Sequence, residues 1–121
     1  MMFVRREFTF SAAHRIDLGG GKSEGLHGHN YGLVVTVEGE PDEHGMILDF
    51  RLLKEIVERE VLSELDHSYL NEILKQPTAE NLAVYVWNRL DKALRGANYR
   101  LYQVEIYESP ESSVIYRRET P

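Results

Sequence analysis

The 121-residue chain contains no cysteine, which excludes disulfides, thiolate metal sites and a cysteine acting as nucleophile or base. It has no apolar run near the roughly 20 residues of a membrane helix, and its first residues lack an apolar signal core. Basic blocks are also missing, and acidic residues outnumber basic ones 20 to 14. We therefore expect a cytoplasmic protein that binds neither nucleic acid nor membrane.

The length predicts one domain over residues 1–121, with no internal repeat or linker. A chain of this size buries a core but not a deep cleft. An active site is therefore expected to need a neighbouring subunit to complete it.

Hydrophobic periodicity predicts the element order ββααββ. An antiparallel sheet with two helices on one face is an α+β architecture, and its open edges favour oligomers that join sheets edge to edge. Residues 15–25, which contain three consecutive glycines, and residues 65–77 are expected to be irregular. The predicted elements are strands at 3–13 and 27–39, helices behind the N-caps Asp49 and Thr78, and strands at 99–108 and 114–119.

Three of the five histidines lie close together in the first third of the chain. His27 and His29 share one face of a predicted strand because strand side chains alternate. His14 ends the preceding strand and reaches the pair if the two strands form a hairpin. Three imidazoles with an open fourth position are typical of catalytic zinc, although the pair alone also suits ordinary strand histidines.

Three further carboxylate positions are candidates for chemistry. Asp66 precedes His67, and an Asp that orients a His is a common way to tune proton transfer, although a simple turn explains the pair as well. Glu24 stands three residues before His27 and could act as a base, or be an ordinary exposed acid. Glu108 ends a predicted strand, where it could accept two hydrogen bonds from an amino-pyrimidinone edge or lie on the surface.

Taken together, the chain resembles the family of 6-pyruvoyl-tetrahydropterin and 6-carboxytetrahydropterin synthases. The resemblance implies the tunnelling fold, in which subunit sheets join into a barrel, commonly a trimer, and two barrels stack into a hexamer. The matching stretches occur in family order and span nearly the whole chain. They are FSAAH at 10–14, LHGHNY at 26–31, GMILDF at 45–50, LDHSYLN at 65–71, PTAEN at 77–81 and YE at 107–108.

Carried over residue by residue, the resemblance implies particular roles for these positions, with the active site between subunits. Zn²⁺ would be held by three histidines, a proton relay would be formed by an Asp–His pair, and a glutamate would anchor the pterin ring. A threonine near the pterin site is also implied. The positions are His14, His27 and His29 for the metal, Asp66 and His67 for the relay, Glu108 for the pterin and Thr78 beside it.

The chain departs from the family at one position. Family members that make pyruvoyl- or carboxy-tetrahydropterin place a cysteine four residues before the first His of H-G-H, and here that residue is Ser23. A serine hydroxyl is a poor base without strong activation. Glu24 follows it, which resembles a subgroup where glutamate replaces the cysteine and the enzyme converts 7,8-dihydroneopterin triphosphate to 6-hydroxymethyl-7,8-dihydropterin, a folate precursor.

We therefore expect a zinc-dependent pterin lyase of the hydroxymethyl-dihydropterin type. One alternative is 6-carboxytetrahydropterin synthase activity on the queuosine route, or 6-pyruvoyl-tetrahydropterin synthase activity, with Glu24 or Ser23 in place of cysteine. Another is a non-catalytic protein that binds metal or pterin. The triphosphate needs cations, for which Lys22 and Arg15 are candidates or, equally, solvated surface residues.

Overall fold

The computed structural model describes residues 1–23 and 25–119, and its centre is a five-stranded sheet in the order β5-β1-β4-β6-β7. The long strands β1 and β4 pair antiparallel over their full length, from Met2 opposite Gly39 to His14 opposite His27. A separate small hairpin joins β2 to β3. The strands are β1 (Met2–His14), β2 (Asp17–Gly19), β3 (Lys22–Ser23), β4 (His27–Gly39), β5 (Ser68–Tyr69), β6 (Tyr99–Ser109) and β7 (Ser112–Arg117).

The helices begin where the sequence predicts. The Asp49 carboxylate accepts the Arg51 backbone N–H to cap the first helix, and the Thr78 hydroxyl caps the last one. Hydrogen bonds from the Arg51 side chain and backbone lower the pKa of Asp49. Among the described residues, no helix has the length and apolar character needed to cross a bilayer. The helical segments are α1 (Phe50–Val57), a π-helical segment (Glu58–Leu62), α2 (Ser63–Leu65), a 3-10 turn (Leu70–Glu72) and α3 (Ala79–Ala93).

The helices pack against one face of the sheet, which confirms the predicted α+β architecture. That face is lined by alternate residues of the three central strands, and the helices add their apolar sides to it. Its fully buried strand residues are Leu33, Val35, Val37, Leu101, Val104 and Ile106, and its fully buried helix residues include Leu53, Val57, Val61, Leu82, Val86 and Leu90.

The segment at residues 65–77 is more regular than the sequence predicts. Strand β5 pairs parallel with the end of β1, Ala12 opposite Ser68, so the sheet is antiparallel except at this edge. Two residues of strand are too few to leave an alternating pattern, which explains why the pattern gives no strand there. The short strand matters because it fixes the preceding Asp66 and His67 beside β1.

Two amide side chains attach the glycine-rich segment to the segment at 70–76. The Asn71 amide accepts the Arg15 N–H at 2.8 Å and donates to the Arg15 carbonyl at 2.8 Å. The Gln76 amide does the same to Asp17, at 3.1 and 2.6 Å. We call these four hydrogen bonds the amide clamp. It holds the chain that leaves His14 and leads to β2 and β3.

Candidate active site

The histidines share the core face of the sheet, at the end where β1 finishes and β4 begins. In β1, Phe10, Ala12 and His14 alternate onto that face, and in the paired strand they stand opposite Tyr31, His29 and His27. The ring of His14 is fully buried, whereas His29 is partly exposed. The predicted hairpin between the two strands is therefore confirmed, and it brings the three imidazoles side by side.

Glu108 reaches the same place from β6. Val104 and Ile106 face the core, so two-residue alternation puts Glu108 on that face as well. The register pairs Tyr107 with Gly32 of β4, and Glu108 follows at the end of this pairing. Strand β6 therefore contributes a carboxylate to the histidine group.

The ligand atoms converge on a common point. Glu108 Oε1 lies 3.5 Å from His14 Nε2 and 3.6 Å from His29 Nε2. Among the described residues, these three side chains form a group with ligand atoms within 4.8 Å of one another. His29 Nε2 is buried and has no hydrogen-bond partner among these residues. Imidazole and carboxylate are donors that divalent metals accept, so the group fits a metal ion.

The ring of His14 is oriented by Tyr31. His14 Nδ1 lies 2.6 Å from the Tyr31 hydroxyl, and both side chains are buried. Tyr31 in turn stacks on Phe10, with ring centroids 4.9 Å apart and planes 7° apart. If Nδ1 donates to the hydroxyl oxygen, Nε2 keeps its lone pair for a metal, which is the usual arrangement of metal-binding histidines.

His27 lies next to this group. It is exposed, its ring centroid is 6.1 Å from that of His29, and it stands opposite His14 in the strand pair. Among the residues that the structure describes, the group with ligand atoms within 4.8 Å comprises His14, His29 and Glu108. A metal ligand role for His27 therefore stays a prediction.

Asp66 and His67 form the expected pair on the edge of β1. Asp66 Oδ2 lies 3.2 Å from His67 Nδ1, while Oδ1 accepts the Ser11 N–H at 2.9 Å. The His67 N–H donates to the Ser11 carbonyl at 2.6 Å. The backbone of His67 has φ 61°, in the left-handed region that non-glycine residues seldom adopt. Strain of this kind is concentrated at functional sites, and here it presents an exposed imidazole.

His29 and His67 line the same depression, of about 420 Å³, together with residues at the ends of β1 and β4. The depression therefore includes one member of the Asp66–His67 pair and one of the three histidines. A larger cavity of about 750 Å³ lies near Gly39, at the other end of β4. Among the residues that the structure describes, none of the candidate catalytic or metal-binding side chains lines it.

The remaining predicted residues have varied outcomes. The Thr78 hydroxyl accepts the Asn81 N–H at 3.1 Å as a helix cap, so a pterin contact by Thr78 stays a prediction. Arg15 and Lys22 are exposed on the segment held by the amide clamp. Glu24 lies outside the described residues.

Sequence reasoning missed Tyr31 and Ser11 as supports of the site. Tyr31 had a readable signal, because it follows His29 by two residues and so shares its face. Ser11 had no such signal in the sequence, because its backbone N–H donates to Asp66, which lies 55 residues away in the chain.

The structure thus contains an imidazole paired with an Asp, which can serve acid–base chemistry, and a group of two imidazoles and a carboxylate that can hold a metal. The family model described as 6-pyruvoyl tetrahydropterin synthase matches residues 3–119. The chain is 40% identical over 106 residues to dihydroneopterin monophosphate aldolase from Pyrococcus furiosus, covering 88% of this chain and 89% of that protein. It is 38% identical over 117 residues to a putative 6-carboxy-5,6,7,8-tetrahydropterin synthase from Archaeoglobus fulgidus, covering 97% and 96%.

The fold agrees with these relatives. The solved structure of Caenorhabditis elegans 6-pyruvoyl tetrahydropterin synthase matches with a TM-score of 0.82 and 30% identity, over 98% of this chain and 96% of that chain. The chain belongs to the 6-pyruvoyl tetrahydropterin synthase family. Its relatives are named as enzymes that act on pterins, and the resemblance predicted from the sequence motifs is confirmed.

Proposed function

We propose that the protein is a zinc-dependent pterin lyase that shortens the side chain of a phosphorylated 7,8-dihydroneopterin to give 6-hydroxymethyl-7,8-dihydropterin. The observation that carries the proposal is a site of imidazoles and carboxylates in a family member with no cysteine. Without a thiol, the proton transfers must be made by carboxylate and imidazole groups. These groups suit a retro-aldol cleavage.

We infer that the metal is held by His14 and His29, with His27 as the third imidazole and Glu108 close by. Zinc bound there would lower the pKa of the side-chain hydroxyls as a Lewis acid. The Tyr31 hydroxyl keeps the buried His14 ring turned so that Nε2 faces the site. The packed sheet fixes the ligands before substrate arrives, which favours both affinity and rate.

The cleavage needs one base and one acid. A base removes the proton from the hydroxyl on the second side-chain carbon, and the bond between the first two carbons breaks. The electron pair passes to the first carbon and the ring, and an acid then protonates that carbon. A two-carbon aldehyde bearing the phosphate leaves. We assign the base to Glu24 and the acid to His67, held by Asp66.

The number of phosphate groups on the substrate is a separate question. We propose the triphosphate as substrate, and the monophosphate as the second candidate. The monophosphate is favoured by the 40% identity to a protein named dihydroneopterin monophosphate aldolase, whose name also supports aldol-type cleavage here. Arg15 and Lys22 are the basic residues proposed to meet the phosphates.

The active site is proposed to be completed between subunits, with sheets joined edge to edge in a trimer or dimer of trimers. The strands available for this are β5 and β7, which form the two edges of the sheet. Exposed Ile115 and Tyr116 on β7 favour a covered edge.

The deciding experiment incubates zinc-loaded protein with the triphosphate and, separately, with the monophosphate of 7,8-dihydroneopterin. We expect 6-hydroxymethyl-7,8-dihydropterin and a phosphorylated two-carbon aldehyde, identified by mass. Metal-stripped protein is the control and should give neither product.

Other products would contradict the proposal in distinct ways. A carboxy- or pyruvoyl-tetrahydropterin product would replace it with the synthase activity named for the relatives from Archaeoglobus fulgidus or Caenorhabditis elegans. Binding of pterin without any product would indicate a non-catalytic binding protein.

Replacing Tyr31 by phenylalanine should weaken zinc binding by about 10–100-fold, because groups that orient a metal-binding histidine contribute on that scale. The stacking on Phe10 needs only the ring, so the fold should remain. The measurement is competition against a chromophoric chelator. Tyr107→Phe, which lies on the opposite face of the sheet, is the control and should keep the wild-type affinity.

A further inference from the structure

We propose that a cavity beside the amide clamp binds the outer phosphates of the triphosphate substrate, and that Lys75 is the cation that meets them. The proposal rests on the proposed function for the pterin substrate and the metal. It deepens that function by assigning a phosphate site, and it makes Lys75 the residue that favours the triphosphate over the monophosphate.

The order of the strands gives the bound substrate a direction. Glu108, which is predicted to hold the pterin ring, lies on β6, and β4 and β1 with the histidines follow it across the sheet. Beyond β1 come β5 and the segment at 70–76, which the amide clamp joins to the chain after His14. A pterin held by its ring edge at Glu108, with its side-chain hydroxyls at the metal, therefore directs its phosphates toward that segment.

A cavity of about 540 Å³ lies at this segment. It is lined by Asp17 and Gln76 of the amide clamp, by Lys75, and by residues of α3. Asp17 follows His14 by three residues, so their Cα atoms are at most about 11 Å apart. The cavity is therefore close to the metal-binding histidines, and its volume is in the usual range of small-molecule sites.

The lining of the cavity suits an anion. Lys75 is exposed and has no ion-pair partner within the described part of the chain, whereas Lys54 pairs with Glu58 at 3.9 Å. Asp17 is the one acid among the described lining residues, and its Oδ1 already accepts the Gly19 N–H at 2.8 Å. Phosphate oxygens form their strongest hydrogen bonds with charged donors, so Lys75 supplies the main attraction.

The hydroxyl of Tyr85 is a second, independent indication of a ligand. Tyr85 lines the same cavity, and its hydroxyl is buried without a hydrogen-bond partner among the described residues. Burial raises the pKa of Tyr85, so the hydroxyl stays protonated and can donate. Buried polar groups are normally paired, and a phosphate oxygen in the cavity would supply the missing acceptor.

The first test compares Lys75→Gln with the wild type in steady-state cleavage of the triphosphate and the monophosphate of 7,8-dihydroneopterin. We expect the KM for the triphosphate to rise about tenfold with kcat unchanged, because a charge-assisted hydrogen bond away from the reacting carbons is lost. The KM for the monophosphate should stay the same, since its single phosphate ends beside Arg15. Lys54→Gln, an exposed lysine on α1, is the matched control and should change neither value.

Two outcomes of this test would overturn the proposal. An unchanged KM for the triphosphate would show that Lys75 does not meet the phosphates. An equal rise in KM for both substrates, or an equal effect of Lys54→Gln, would indicate a general loss of positive charge in place of a site for the outer phosphates.

The second test measures binding without cleavage, by fluorescence titration of zinc-loaded protein with neopterin triphosphate and with neopterin. We expect the wild type to bind the triphosphate more tightly than neopterin, and Lys75→Gln to lose about tenfold of that difference. Tyr85→Phe keeps the ring and should weaken triphosphate binding about 3–10-fold, with neopterin binding unchanged. Unchanged triphosphate affinity in Tyr85→Phe would remove the hydroxyl from the site, and unchanged affinity in Lys75→Gln would overturn the proposal.

These results are separable from failure of the proposed function. If no dihydroneopterin phosphate is cleaved but neopterin triphosphate binding still depends on Lys75, the phosphate site stands and the lyase assignment falls. If cleavage occurs and Lys75→Gln behaves as the wild type toward the triphosphate, the lyase stands and the phosphate site falls.

Discussion

Replacing Glu24 by glutamine is expected to lower kcat by about 10²–10⁴-fold while zinc stays bound. That range is typical for the loss of a positioned general base, and glutamine keeps the size of the side chain but cannot take a proton. Glu24 is not among the predicted metal ligands, so the metal content should not fall. The measurement combines steady-state turnover of dihydroneopterin phosphate with metal analysis of the same sample.

Ser23→Ala is the matched control for that experiment. Ser23 stands where the family resemblance implies a cysteine, one residue before Glu24, and its hydroxyl is a poor base. We expect the alanine variant to keep near wild-type turnover. Full activity in Glu24→Gln would show that Glu24 is not the base, and a loss confined to Ser23→Ala would transfer the role to the serine.

Replacing Asp66 by asparagine is expected to lower kcat by about 10²–10⁴-fold with little change in stability. Asparagine still offers an oxygen to the Ser11 N–H, so the attachment to β1 remains. What is lost is the negative charge 3.2 Å from His67 Nδ1, which orients the imidazole. Turnover and thermal unfolding of the same variant separate the two effects.

A double-variant cycle tests whether Asp66 acts through His67. Groups that work as a unit give strongly non-additive losses. Adding Asp66→Asn to His67→Ala should therefore cost little further activity. If the two losses multiply instead, Asp66 acts on the substrate or the metal independently of the imidazole.

The part of the site on β1 and β4 could be predicted because it depends on local alternation. His27 and His29 lie two residues apart on one strand, and their shared face follows from the sequence alone. The position of His14 beside this pair follows if the two strands pair as a hairpin, which consecutive strands commonly do. The predicted helix caps at Asp49 and Thr78 are likewise local signals, and both are confirmed.

The remaining features depend on contacts distant in sequence. Glu108 meets the histidines only because β6 pairs with β4 in a particular register, across a bulge between Thr36 and Val37. No periodicity in the chain encodes that register, so Glu108 was predicted as a pterin anchor and not as a neighbour of the histidines. The parallel strand β5 and the π-helical segment are similarly products of packing, which local propensity does not specify.

The amide clamp touches only backbone atoms of Arg15 and Asp17. The side chains of the clamped segment are therefore free to differ without loosening its attachment to the rest of the protein. A replacement segment with a thiol in place of Ser23 could follow the same two anchoring points. The support of this segment is thus separate from its side chains, and we expect substitutions in this short stretch to change which groups it presents without disturbing the fold.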